Sequence, residues 1–162
     1  MNILFFILLV ALGALAYAAF NFFVVKKMDE GTETMQEIAG AIRVGANAFI
    51  VYEYKVIAII ALLVAVILAV VMSWETAVCF VIGAVMSASA GWVGMKIATY
   101  ANVRVSNKAR ESKKLGETLK VAFRGGSVMG LCVGGCALLG LFIVYLVLIK
   151  LTLFFLCLFI CD

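Results

Sequence analysis

Hydrophobic positions in this chain fall in long unbroken runs, not in the alternation of a half-buried strand or the one-sided stripe of a soluble helix. Four runs stand out: 3–25 (23 residues), 56–74 (19), 77–95 (19) and 127–149 (23). At about 1.5 Å per residue, helices of these lengths reach roughly 28–35 Å, which matches a hydrocarbon core of about 30 Å. The pattern predicts an all-α, polytopic membrane protein with four transmembrane helices. The first run holds fifteen Leu, Ile, Phe or Val residues, worth roughly −5 to −9 kcal/mol on an insertion scale. The third holds six, worth roughly −2 to −4 kcal/mol before its serines and glycines are counted. That helix is expected to need protein neighbours.

The polar stretches between the runs carry patterns of their own. Across 29–55, Met35, Ile38, Ile42, Gly45, Ala46 and Phe49 recur at spacings of three or four, the signature of an amphipathic helix. Thr34 and Glu37 fit a capping box at its start. This segment is expected to lie at the cytoplasmic interface, with a gating or ligand-contacting role as the alternative. In the third run, Lys96, Tyr100 and Arg104 follow at i, i+4 and i+8, so that helix is expected to continue to residue 104 with Lys96 snorkelling. Small residues repeat four apart as Gly83, Ser87 and Gly91, and again as Gly126, Gly130 and Gly134. Both stripes are expected to be helix-packing faces. A last apolar run, 151–161, has three open readings: extension of the fourth helix, an interfacial segment, or the start of a further hairpin.

Charge sets the expected orientation. No cation precedes the first run, which is too long for a signal-peptide core, so it reads as an uncleaved helix. Residues 26–55 carry four Lys or Arg and residues 96–124 carry eight, of 13 in the chain. With the N-terminus outside, 12 of the 13 face the cytoplasm, as the positive-inside rule requires. Lys96, Arg104 and Arg124 are the expected cytoplasmic basic face. They serve either as a topology determinant near anionic lipids or as an attractor for an anionic substrate.

Composition then narrows the chemistry. The chain is 67% hydrophobic and 14% charged, with mean hydropathy +1.22, against about a quarter charged in soluble domains. The net charge of +4 belongs to the membrane topology, and no nucleic-acid partner is expected. There is no histidine and no proline, so no Ser-His-Asp triad can form. The only aspartates, Asp29 and Asp162, fall on opposite sides of the expected membrane. Cys132 and Cys136, Cys157 and Cys161, and the single Cys79 lack metal-ligand spacing and read as packing residues. Glu53, beside Tyr54 and Lys55, reads as one end of an interfacial salt bridge. Gly125-Gly126-Ser127 lacks the features of a phosphate loop. No catalytic, cofactor-binding or metal-binding residue is expected.

Three ordered strings carry a family resemblance. EIAGAIRVGANAFIVYEYKVIA over 37–58, IGAVMSASAGWVGMKIATYANVR over 82–104 and AFRGGSVMG over 122–130 closely resemble the first cytoplasmic loop and the second to fourth helices of membrane-integral pyrophosphatases. The resemblance implies pyrophosphate hydrolysis coupled to pumping of protons, sodium ions or both. It also implies a magnesium cofactor and a homodimer of many-helix subunits in two concentric rings, with these four helices in the outer ring. The family's Asp-rich patterns, such as DVGADLVGKVE, do not occur here. Magnesium pyrophosphate needs converging carboxylates around hard cations, so the chain is expected to be an inactive N-terminal portion of a pump. Its expected partners are the bilayer and the remaining helices, in a prokaryotic cell membrane. The alternative is a non-enzymatic four-helix scaffold or assembly protein. A small independent transporter is less favoured, because no well-buried charge marks a path.

Overall fold

The computed structural model describes residues 2–160, with side chains over 3–149. Four helices account for nearly all of them: α1 (Asn2–Lys26), α2 (Glu33–Val71), α3 (Trp74–Ser112) and α4 (Leu115–Ile160). The links α2–α3 and α3–α4 are two residues each, which makes successive helices antiparallel neighbours. All four are long and apolar enough to cross a membrane; three of the expected runs lie within single helices, and the run 56–74 ends three residues past α2, its last residue Trp74 opening α3. At 39 residues, α2 and α3 reach roughly 58 Å, about twice the hydrocarbon thickness. The excess of each projects at the end of the bundle where α1 stops.

That continuity corrects the reading of 29–55 as a segment distinct from the second span. From Glu33 it is the first half of α2, running unbroken into the apolar run. With no proline in the chain, nothing interrupts the backbone ladder between Phe49 and Val56. Likewise α3 continues beyond Arg104 to Ser112. The α4 backbone stays helical through residues 150–160, which favours helix extension for the apolar tail; Cys161 and Asp162 lie outside the described residues.

The caps show why the helices begin where they do. Thr32, not Thr34, caps α2: its hydroxyl accepts from the Met35 N–H at 3.4 Å. Gln36 adds a second tie to the same turn, donating its side-chain Nε2 to the Gly31 carbonyl at 2.9 Å. Thr34 lies inside the first turn, so the Thr34/Glu37 box is not formed. Ser73 caps α3 in the same way, accepting from the Thr76 N–H. The α3–α4 turn holds Lys113 at φ 51°, a left-handed residue that closes α3 through its N–H to the Ala109 carbonyl.

Helix α4 packs against both α1 and α3, whereas α2 packs on α3. The buried seams run at spacings of three and four, or their sum of seven: Ala11, Ala18, Asn21 and Val25 in α1; Ala90, Gly94, Ile97, Ala101 and Arg104 in α3; Val121, Gly125, Val128, Cys132 and Gly135 in α4. This periodicity keeps a small-residue stripe on one side of each helix, where close approach replaces the hydrophobic effect as the source of association. A Cβ on Gly125 would lie 2.7 Å from the Ala101 Cβ, and one on Gly135 would lie 2.8 Å from Leu15 Cγ.

Within this four-helix unit the α1–α3–α4 seams therefore run beside the expected packing stripes. Gly126, Gly130 and Gly134 are exposed, with open space where a Cβ would stand. At about 100° per residue, Gly130 lies opposite the seam containing Val121. In α3 the seam passes through Ala90 and Gly94, next to the predicted Gly83–Ser87–Gly91 stripe. Gly83 has open space, Ser87 is exposed, and Gly91 faces α2, its absent Cβ leaving 3.1 Å to the Tyr54 hydroxyl. Tyr54 uses that room to donate to the Ala88 carbonyl at 2.6 Å.

Candidate functional site

The densest polar constellation lies where the basic ends of the helices meet, and Arg104 is its centre. Its side chain is 4% exposed. Nε donates to the Met28 carbonyl at 3.0 Å, Nη1 to the Tyr100 carbonyl at 2.8 Å and Nη2 to the Lys26 carbonyl at 2.7 Å. Helix α1 ends at Lys26, where carbonyls lack intrahelical partners and the helix dipole is negative. A planar guanidinium with five donors satisfies two such carbonyls at once. Arg104 thus ties the end of α1 to the C-terminal part of α3.

Glu30 completes the clasp. Its Oε1 lies 2.8 Å from Arg104 Nη2 and 2.7 Å from Arg43 Nη2, joining the α1–α2 link, α2 and α3 through one carboxylate. The hydrogen bond from Arg43 holds the Glu30 pKa below the ordinary glutamate value, against the opposing effect of burial and with further help from the Arg104 charge. Arg43 also lies 4.5 Å from the Tyr100 ring centroid, a cation–π contact that accompanies its buried, unpartnered Nε. Below the carboxylate, Gly31 takes φ +89°, and a Cβ there would stand 2.7 Å from Asn107 Oδ1. The link can press against α3 only because residue 31 is glycine. Asn107, itself 2% exposed, accepts from Arg110 and donates to Glu111.

The structure separates the three residues expected to form one basic face. Arg104 is buried as a helix tie, not presented to solvent, because the α1 carbonyls and Glu30 surround it. Lys96 is half-buried and donates to Asn47 Oδ1 of α2 at 2.6 Å. Arg124 is exposed on α4 and takes no part in the clasp. Glu53 makes none of the ion pairs among the described residues, so the expected interfacial salt bridge is not seen there. Among the described residues it borders a groove of about 740 Å³ between α2 and α3. Glu30 and Arg43 were not singled out by sequence reasoning. Their only signal was opposite charge 13 residues apart, a separation that no helical spacing rule connects.

Among the described residues, no group of three or more His, Cys, Asp or Glu side chains converges as a metal site would. Several carboxylates are engaged elsewhere: Glu30 with two arginines, Glu117 with Lys108 and Lys114, Glu111 with Asn107, and Asp29 with the Gly31 N–H. This arrangement builds a structural joint between helices and does not fit a magnesium site, which requires several oxygen ligands free for one cation.

Comparison with known proteins supplies the family. The family model for inorganic H+ pyrophosphatase matches residues 12–158. A K(+)-stimulated pyrophosphate-energized sodium pump of Thermotoga maritima is 56% identical over 139 residues, covering 86% of this chain and 19% of that pump. A K(+)-insensitive pyrophosphate-energized proton pump of Methanosarcina mazei is 40% identical over 142 residues, 85% of this chain and 21% of the relative. A second such proton pump, from Moorella thermoacetica, is 50% identical over 117 residues, 72% of this chain and 17% of the relative. The chain therefore spans about a fifth of the length of the pumps it matches. Four membrane-length helices and a match covering nearly the whole chain place this multi-pass membrane protein in the inorganic H+ pyrophosphatase family.

Proposed function

We propose that this chain is the N-terminal four-helix portion of a pump that couples pyrophosphate hydrolysis to movement of sodium ions or protons across a prokaryotic cell membrane. The continuous match over 12–158 to pyrophosphate-energized pumps carries the reading. In this reading, magnesium and pyrophosphate are held by segments beyond these helices, because the carboxylates here do not converge. The chain's own contribution is a rigid outer unit, joined at its basic end by the Arg104–Glu30–Arg43 clasp. Its partners are the bilayer, the remaining helices and, in the assembled pump, a second subunit.

The chain alone in vesicles should release no phosphate from pyrophosphate above a protein-free control, even with ample magnesium. Co-expressed with the Thermotoga maritima pump lacking its matching segment, it should restore magnesium-dependent phosphate release and ion uptake. Turnover by the isolated chain would overturn the assignment. Co-purification of the two pieces without activity would favour a scaffold instead.

The proposed orientation has the N-terminus outside, on the strength of the 12 positive charges gathered at one end. In a background with the native cysteines replaced, Thr76→Cys should react with an impermeant maleimide in intact cells. Thr34→Cys and Ser112→Cys should react only after permeabilisation. The reverse pattern would invert the topology.

A further inference from the structure

We propose that the cleft between α1 and α3 is a binding site for one anionic phospholipid, with its phosphate between Lys26 and Lys96 and an acyl chain running along α1. The cleft encloses about 470 Å³ over a floor formed by Val128 and Cys132 of α4. Its walls are apolar along most of their length, with Ala18, Ala19 and Phe22 on the α1 side. The α3 side carries Trp92, Lys96 and Tyr100 on successive helical turns, Lys26 closes the α1 side as that helix's last residue, and no carboxylate lines the cleft. Along α1 the lining runs from Leu15 and Ala18 through Phe22 to Lys26, and on α3 Trp92 precedes Lys96 by one turn, so on each wall a cation follows an aromatic ring as phosphate follows the glycerol region of a phospholipid.

Both lysines retain capacity for an anion. Lys26 Nζ lies 5.8 Å from the Tyr100 centroid and makes no ion pair among the described residues. Lys96 Nζ lies 5.6 Å from the Trp92 centroid and commits one of its three donors to Asn47. The nearest clasp carboxylate, Glu30, is already shared by Arg43 and Arg104, so it does not neutralise them. An apolar helix seated there would leave both ammonium groups without a counter-charge. The inference concerns the chain in its membrane and does not depend on the pump reading.

Trp92 lines the cleft, and the chain has only one other tryptophan, Trp74. The full chain carrying Trp74→Phe therefore reports on the site alone. In phosphatidylcholine vesicles, phosphatidylglycerol brominated near the headgroup should half-quench Trp92 at about a tenth of the mole fraction required by brominated phosphatidylcholine. Lys26→Gln with Lys96→Gln should abolish that preference. Lys27→Gln with Lys120→Gln, which removes the same charge from exposed positions outside the cleft, should preserve it. Ala19→Phe, which fills the cleft but keeps both lysines, should also abolish it. Equal quenching by both lipids in the parent chain would overturn the proposal, as would equal loss in the control pair. Abolition by inorganic phosphate at constant ionic strength would assign the site to a free anion. Absence of quenching by either lipid would assign the cleft to protein.

Discussion

Replacing Arg104 with methionine is expected to destabilise the bundle by about 3–5 kcal/mol, the range for breaking a buried charge pair. Methionine keeps much of the side-chain bulk, so the loss is chiefly one of donors. The carbonyls of Lys26, Met28 and Tyr100 lose a partner at 2.7–3.0 Å, and Glu30 keeps only Arg43. Arg104→Lys should recover little, because one ammonium cannot span carbonyls of two helices and a carboxylate as a planar fork does. Glu30→Gln should cost less, about 1–2 kcal/mol, since Arg104 retains its three carbonyls. The doubly substituted chain should lose less than the sum of the two, as expected for groups in one network. Thermal unfolding in detergent measures all four. An Arg104→Met chain that melts within about 1 kcal/mol of the parent would show that the clasp contributes no net stability.

The same clasp predicts a direction with pH. The Glu30 pKa is lowered in the folded chain, so its contribution is fully present above the unfolded glutamate pKa. It is lost as pH falls through the lower folded value. Glu30→Gln should remove that part of the acid dependence and leave the neutral-pH loss described above.

How far the sequence foretold this structure depends on the range of the interaction concerned. The four membrane helices are legible because each is specified by its own uninterrupted hydrophobicity. The amphipathic repeat from Met35 to Phe49 is also legible, but its merger with the next span is not. Polarity marks where a helix leaves the bilayer and does not mark where it ends; the absent proline and the Thr32 cap were the better signals. The face shared by Lys96, Tyr100 and Arg104 is visible as a spacing, whereas the burial of Arg104 is not. Its main-chain partners outside α3 lie 76 and 78 residues away, and only the docked end of α1 brings them within reach. Small-residue stripes were read at a constant spacing of four, which drifts about 40° per step around a helix. The seams instead combine spacings of three and four, and so keep to one side.

That one-residue displacement yields the second large effect, read from two adjacent glycines. Gly125→Leu should destabilise the chain by about 3 kcal/mol or more, whereas Gly126→Leu should be neutral or slightly stabilising. The local sequence and the added volume are nearly the same; the neighbours are not. Even the first carbon at residue 125 would meet the Ala101 Cβ at 2.7 Å. Alanine has no rotamer with which to yield, so α3 and α4 must separate by about 1 Å to reach ordinary carbon–carbon contact. Separation there loosens the cluster of Val128, Ile97 and Ala101, which lies at the meeting of α1, α3 and α4. Residue 126 faces open space, and leucine is a better helix former than glycine by roughly 1 kcal/mol. Gly130→Leu should behave like Gly126→Leu for the same reason. Folded yield in detergent and thermal unfolding of the three variants provide the measurement. Equal damage at 125 and 126 in the isolated chain would mean that the outer face of α4 is itself packed, against a second copy or another helix. Damage at 126 or 130 that appears only on co-expression with the rest of a pump would leave the seam intact and identify that face as the contact with the remaining helices.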